Sequence, residues 1–407
     1  MRTILITGPG GSGRTTVAAA TALEAARRGT RTLVLSADRT DTLGAVLGAP
    51  TGDTPAEAAP GLTAWRPDPA EGFRADLLAL QEQAAAALDL LGSTRLDAEE
   101  LTPLPGAEEL TLLRALRDAA NADAFDLLVV DLPPLPRALA LLALPEQLRR
   151  YLRRLLPAER QAARALRPVL GRLAGVPMPT ERLYETAGRW EIELAAAQLA
   201  VEDPATTVRL VAEPGPAGAD AVRTATTALA LRGLRTDALI ANRVLPDRSP
   251  DTWLAALAAQ QRKTLDEWRT ERDRPDGVHE VPHLGHDPRG AEDLALLPVP
   301  DAEAGADTEA GAGAGGGDTP GPPRWPVVDR LAEDGVLVWH IPLPGAIREE
   351  LDLVRRGDEL LVTVGQFRRI VMLPSALRRC AVAGASLREG ELRVRFTPDP
   401  ELWPRTR

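Results

Sequence analysis

The chain has a single cysteine, Cys380, a single lysine, Lys263, and few aromatic residues, 3% of 407. A lone cysteine excludes an intrachain disulfide and every zinc or iron–sulfur site built from several thiolates. Scarce aromatics leave few platforms on which single-stranded nucleic acid could stack. A positive excess is also missing: 48 Lys and Arg face 58 Asp and Glu, for a net charge of -10. That balance argues against broad capture of DNA or RNA, and no nucleic-acid partner is expected. No uncharged apolar run approaches the roughly 18–20 residues that cross a bilayer, so the chain is not expected to be integral to a membrane. The first apolar stretch, Ile4 to Ile6, runs straight into glycines, unlike a secretory leader, and a cytoplasmic protein is expected. Lysine is avoided throughout, so an arginine in a lysine's place says less here than it would elsewhere.

What is present is ample for a folded core: 44% of the residues are hydrophobic and 26% charged, over a length that suits two or three domains. Residues 1 to about 300 alternate short β-branched runs with long Ala/Leu/Arg helices. Strands are expected at Thr3–Thr7, Thr32–Ser36, Leu127–Asp131, Thr207–Ala212 and Ala238–Asn242. Apolar strands alternating with helices predict an α/β fold, a parallel sheet with helices on both faces. Two long helical insertions, roughly 70–120 and 145–200, predict a helical subdomain. Residues 301–324 are Gly/Ala/acidic without apolar periodicity and read as a flexible linker. From 325 to 407 short strand-like runs such as GVLVWHIPL and ELLVTVG predict a small β-sandwich.

The strongest motif is ILITGPGGSGRTTVAAATALEAARRG, a strand, a glycine-rich turn and a helix opening at Thr15-Thr16. Backbone N–H groups and the helix dipole both face such a turn, which suits a phosphate. Two readings compete. Gly8-x-Gly10-x-x-Gly13 satisfies a dinucleotide fingerprint, with Asp38 ending the next strand as ribose acceptor, and predicts an NAD(P) protein. Gly8-x4-Gly13-Arg14-Thr15 is a P-loop with Arg14 in place of lysine. The P-loop reading is favoured by the Thr15-Thr16 hydroxyls, one of which would hold Mg2+, and by a second acidic strand end, Asp131 of LLVVD.

GPGGSGRTTVAAATALEAARRGTRTLVLSAD resembles the deviant-Walker ATPases of the arsenite-pump (ArsA) and tail-anchored-protein-targeting group. The likeness continues in family order through LPGAEELTLLRAL, FDLLVVD, RALALLALPE, TTVRLVAEP and ALIANRVLP, about 300 residues. The resemblance implies a P-loop sheet with a helical subdomain, used as a nucleotide-gated dimer. It also implies that Gly8, Gly10, Gly11, Ser12, Gly13, Arg14, Thr15 and Thr16 cradle the phosphates of ATP or ADP. By the same implication Thr15 binds Mg2+ and Asp131 holds it directly or through water. Asp38 matches the aspartate that positions the attacking water, and Asn242 the asparagine that reads adenine.

The departures fall on catalytic positions. The family's intermonomer lysine falls at Pro9, and the P-loop lysine is Arg14, with a bulkier and differently directed head. After Asp131 the family's Thr-Ala-Pro-Thr-Gly-His-Thr is replaced by Leu132, Pro133, Pro134, Leu135, Pro136, Arg137 and Ala138. Pro136 has no N–H to give a γ-phosphate. Arg39, Thr40 and Asp41 replace Pro-Ala-His after Asp38. Phosphoryl transfer depends on positioning and charge stabilisation, so the expected protein binds nucleotide weakly or not at all and hydrolyses it poorly. The expectation is a dimeric, client-binding or chaperone-like factor, with itself or an ArsA-like paralogue as partner and a hydrophobic protein as client. A competent paralogue would make it the inactive half of a heterodimer. The alternative is a slow Mg-dependent ATPase in which Asp38 and Arg14 act catalytically. Only Met178 and Met372 are internal methionines, few for a promiscuous groove.

His279-Glu280-Val281-Pro282-His283 matches HExxH, yet Gly277 and Pro282 deny it the helix a zincin needs, and a strand-to-loop segment is expected. Arg149, Arg150, Arg153 and Arg154 read as a solvated, ion-paired helix face. Near the carboxy terminus Ala385-x4-Gly390-x-Leu392 resembles the small-heat-shock (α-crystallin) signature, a domain that some ArsA-related ATPases carry at this end. A hairpin turn at Gly390 with Leu392, Val394 and Phe396 pointing inward is expected. The tail lacks an Ile-x-Ile anchor, so heat-shock-type higher oligomers are not expected. Cys380 is expected to pack as a small apolar residue.

Overall fold

The computed structural model describes residues 1–36, 38, 40–83, 96–155, 180–270, 277–302 and 325–403. Arg39, Met178 and residues 303–324 of the linker lie outside them. Along the chain run β1 (Arg2–Thr7), α1 (Arg14–Arg27), β2 (Thr32–Ser36), α2 (Thr42–Leu47), β3 (Ala56–Ala59), β4 (Leu62–Trp65), α3 (Pro69–Gln83) and α4 (Ala107–Asn121). There follow β5 (Leu127–Asp131), α5 (Leu135–Leu155), α6 (Thr180–Val201), β6 (Thr206–Ala212), α7 (Pro216–Arg232), β7 (Thr236–Val244), α8 (Thr252–Thr270), β8 (Val278–Pro282) and α9 (Gly290–Leu294). The carboxy-terminal part contributes β9 (Val327–Arg330), α10 (Leu331–Asp334), β10 (Val336–Pro342), β11 (Leu351–Arg356), β12 (Glu359–Val364), β13 (Phe367–Met372), α11 (Ser375–Arg378), β14 (Cys380–Arg388) and β15 (Glu391–Pro398).

Two compact units emerge. The first comprises Met1–Thr7, Gly13–Thr206 and His286–Ala302. Its strands run β3-β4-β2-β5-β1, parallel except for the β3–β4 hairpin. Every residue of β2 and β5 is buried, as continuous apolar runs in a covered parallel sheet should be. Register places Ile6 and Ser36 on either side of Asp131, at the carboxyl ends of β1, β2 and β5. Ligands of open α/β sheets bind at those ends. Helix α3 packs on α4, and α4 and α5 pack on α6, the helical part expected from the two insertions. The second of these starts earlier than its composition suggested, because α5 begins at Leu135, directly after Pro133 and Pro134. Pro136 lies in its first turn, where a missing N–H breaks no intrahelical bond.

The second unit comprises Gly8–Ser12, Thr207–Gly285 and Glu303–Arg407. Here β6, β7 and β8 pair in parallel. The carboxy-terminal part of this unit is an antiparallel sandwich of a four-stranded sheet, β14-β15-β10-β9, and a three-stranded sheet, β11-β12-β13. Leu392, Val394 and Phe396 are each 0% exposed, in the alternation expected of β15. The turn before it is two residues, Glu389 and Gly390, at φ 51° and 72°, the double positive φ of a tight hairpin. Cys380 is buried among these apolar side chains, and burial pushes its thiol pKa up. The sandwich core also takes in Leu231 from the end of α7. Arg369 donates to the Leu231 carbonyl at 3.1 Å and lies 5.6 Å from the centre of the Trp325 ring, and Thr227 Oγ1 donates to the Pro344 carbonyl at 2.6 Å.

Candidate functional site

The glycine loop leaves β1 at Thr7 and enters α1 through Gly13, which caps the helix at φ 85°, a left-handed conformation that side chains resist. Within the second unit the loop is held by its backbone. A Cβ on Gly8 would lie 1.9 Å from the Val211 carbonyl oxygen, so the close approach of the two backbones admits only glycine. Asn242 is buried and its Nδ2 donates to the Ser12 carbonyl at 2.8 Å. Arg243, at φ 57°, donates through Nη1 to the Gly11 carbonyl at 3.0 Å. Gln261 of α8 fixes that strand end by donating to the Arg243 carbonyl at 3.2 Å and accepting from Leu245 N at 2.9 Å. Asn242, where an adenine-reading amide is expected, braces the loop through its bond to the Ser12 carbonyl. Gly10 and Gly11 are exposed, and Ser12 Oγ is buried without a hydrogen-bond partner among the described residues.

In the first unit the start of α1 meets the end of β5. Thr15 Oγ1 donates to Asp131 Oδ2 at 2.8 Å, and Ser36 Oγ donates to the same oxygen at 3.1 Å. Asp131 Oδ1 is buried with no hydrogen-bond partner among the described residues. Burial pushes the Asp131 pKa up to about 6; the charge of Arg14 and the bonds from Thr15 and Ser36 oppose the shift, and the charge of Asp38 adds to it. Arg14 donates through Nη1 to the Leu132 carbonyl. Burial lowers its pKa, against the attraction of Asp131 and Asp38. Thr16 is half-buried in the first turn of α1. Asp38 is exposed and accepts from Thr42 Oγ1 at 3.0 Å.

A cavity of about 680 Å3 opens here, bordered by Arg14, Thr15, Asp38, Asp131, Glu109 and Arg137 among others. An open, buried carboxylate oxygen beside a hydroxyl suits a hard, oxygen-seeking cation or the water around it. Thr15 and Asp131 fit a magnesium-bound phosphate group. Arg137 Nη2 donates to Glu108 Oε2 at 2.5 Å and Glu109 Oε1 at 3.2 Å, both in the first turn of α4.

Some sequence departures have structural roles. Asp41 caps α2, accepting from Gly44 N at 2.9 Å, Thr51 N at 3.0 Å and Thr51 Oγ1 at 2.5 Å. Burial would raise its pKa, but those bonds and the charge of Arg66 hold it below the ordinary carboxylate value. The HExxH stretch is strand β8 and the residues after it, with Glu280 ion-paired to Arg269 and His283 Nδ1 accepting from Gly285 N at 2.9 Å. No group of three or more His, Cys, Asp and Glu is placed to hold a metal among the described residues. Arg149 and Arg153 pair with Glu191 of α6, and Arg149 also donates to Gln198. No described helix is long and apolar enough to cross a membrane.

Parallel strands whose carboxyl ends bring an acid to the helix of a glycine loop define a P-loop nucleotide-binding fold. Residues 1–298 match the ArsA family, described as an anion-transporting ATPase, and residues 334–396 match an HSP20-like domain found in ArsA. The chain belongs to that family, which decides between the two readings of the loop in favour of the P-loop. It is 71% identical to an uncharacterized protein of Streptomyces coelicolor over 100% of both chains. It is 34% identical to a Mycobacterium tuberculosis protein over 99% of this chain and 97% of that one. It is also 27% identical to a putative arsenical pump-driving ATPase of Aquifex aeolicus, over 97% and 99% of the two chains.

Ser36, Thr42, Arg243, Gln261 and the pairing of Arg137 with Glu108 and Glu109 escaped the sequence reading. Ser36 carried a usable signal, since it ends a strand that register sets beside Asp131. The others depend on contacts 4 to 232 residues apart along the chain that no local pattern announces.

Proposed function

We propose that this chain is an ArsA-family nucleotide-binding factor that holds a magnesium nucleotide weakly and hydrolyses it poorly or not at all. The observation that carries the reading is the Thr15–Asp131 hydrogen bond at 2.8 Å beside a buried, partnerless Asp131 Oδ1. Gly8 to Thr16 would hold the phosphates and Asn242 the base, with Asp131 turned to the cation directly or through water. Bound magnesium would neutralise phosphate charge. Hydrolysis is weakened because Pro9 brings no charge and Pro136 no N–H, and charge stabilisation is the main work of such sites. Such a protein acts as a dimeric binding or chaperone-like factor for a hydrophobic protein client, with itself or an ArsA-like paralogue as partner. In the second case it is the silent half of a heterodimer, and sedimentation of the pure chain with and without Mg-nucleotide separates the two.

The test is calorimetric titration of nucleotide-stripped protein with Mg-ATP, with phosphate release followed in the same sample. Binding without release is the expected result, and no binding at all would sink the reading. A slow ATPase is the second reading, favoured by the Thr42 bond that orients Asp38 at the cavity. It requires Mg-dependent turnover that Asp38→Asn abolishes and Thr15→Ala reduces.

A further inference from the structure

We propose that Arg137 reads the terminal phosphate of a bound nucleoside triphosphate from within the same chain, making it the residue that distinguishes triphosphate from diphosphate. The inference rests on the nucleotide-binding reading above. Arg137 borders the same cavity as Thr15, Asp38 and Asp131. The two carboxylates and the hydroxyl mark where the cation and the reacting phosphate belong, and Arg137 borders the same cavity of about 680 Å3. That volume is ordinary for a small-molecule site.

Three observations separate Arg137 from a plain ion pair. First, the backbone around it has lost donors: Pro133, Pro134 and Pro136 contribute no N–H, and Pro136 sits in the first turn of α5, where such groups would face an anion. Arg137, the next residue, returns positive charge to that turn. Second, the other arginine bordering the cavity, Arg14, is turned to the Leu132 carbonyl, and its Nε is buried without a partner. Third, both bonds from Arg137 to Glu108 and Glu109 leave from one nitrogen, Nη2, while Nη1 and Nε make none among the described residues. A guanidinium anchored at one corner still offers donors to a phosphate, in a planar geometry that a lysine cannot copy. The side chain is 54% exposed, so it can turn without unpacking a core. A charge supplied in cis would stand in for the one that Pro9 does not bring.

The experiment titrates the full chain separately with Mg-ADP and with a non-hydrolysable Mg-ATP analogue, for the wild type, Arg137→Ala, Arg137→Lys and Arg137→Gln. The wild type is expected to prefer the triphosphate. Arg137→Ala should weaken triphosphate binding by about 10- to 100-fold, the range of one or two charge-assisted hydrogen bonds, while leaving diphosphate binding within about twofold. Arg137→Lys should recover part of the preference. Arg137→Gln keeps a hydrogen-bonding head without the charge and decides the matter if the alanine variant fails to fold. Equal weakening of both nucleotides would mean a structural role, and no weakening of either would mean no role; each overturns the proposal while the nucleotide-binding reading survives. A wild type that binds neither nucleotide overturns both.

Discussion

The glycine loop and the segment after Asp131 both lie in the matched family region but have been treated differently by the sequence. The loop keeps each feature that needs backbone: the close approach at Gly8, the left-handed cap at Gly13, and carbonyls held by Asn242 and Arg243. The segment from Leu132 to Ala138 keeps its place at the head of α5 but has exchanged donors for prolines. The contrast teaches that holding a phosphate and responding to its loss are separable demands. The first needs a fixed nest of N–H groups, and the second needs a mobile segment whose N–H groups engage only one nucleotide state. Prolines at Pro133, Pro134 and Pro136 oppose the second and leave the first alone.

The most damaging way to break the comparison is Gly8→Ala. Its methyl would collide with the backbone of β6, and a loss of about 3 kcal/mol in urea unfolding is expected. A variant as stable as the wild type would mean that the loop is slack. Asp131→Asn tests the acid that Thr15 and Ser36 hold at the head of the second segment. The folded-state pKa of about 6 lies above the ordinary 3.8, so ionising this buried group works against folding at neutral pH. The asparagine variant should therefore be more stable by up to about 3 kcal/mol above pH 7. That gain should shrink as pH falls from 6 towards 4 and vanish below about 3, where both states hold the proton. A pH-independent difference in melting would refute the assignment. Asp41→Ala removes a helix cap beside Asp38 and should cost about 1–2 kcal/mol. The smallest effect expected is from Pro136→Gly, which returns one N–H to α5 and should tighten Mg-ATP binding about threefold, read by calorimetry. No tightening would detach the prolines from nucleotide sensing.

Much of this was legible in the chain itself. The strands at Thr32–Ser36 and Leu127–Asp131 fall where apolar runs and polar ends placed them, because a strand covered on both faces leaves a continuous hydrophobic signal. The β3–β4 hairpin was missed, since AEAAPGLTAW is short and alanine-rich and its strandedness comes from pairing with β2. The backbone demands at Gly8 and Gly13 were legible in the local loop motif, whereas the contacts of Thr42 and Arg137 were not. Those contacts depend on which oxygen or carboxylate each side chain reaches, a property of the fold. Asp41 shows the opposite case: it looked like lost catalytic equipment and is a helix cap.

The bonds from Arg369 to Leu231 and from Thr227 to Pro344 bear on where the protein can be cut. Family boundaries suggest two separable modules, 1–298 and 334–396. Yet α7 lends Leu231 to the interior of the sandwich, and the sandwich returns a cation to the helix's terminal carbonyl. A fragment ending before the linker would leave Leu231 without the apolar core that buries it and its carbonyl bonded to water instead of Arg369. The contacts of α7 thus run across the boundary that the two family matches draw.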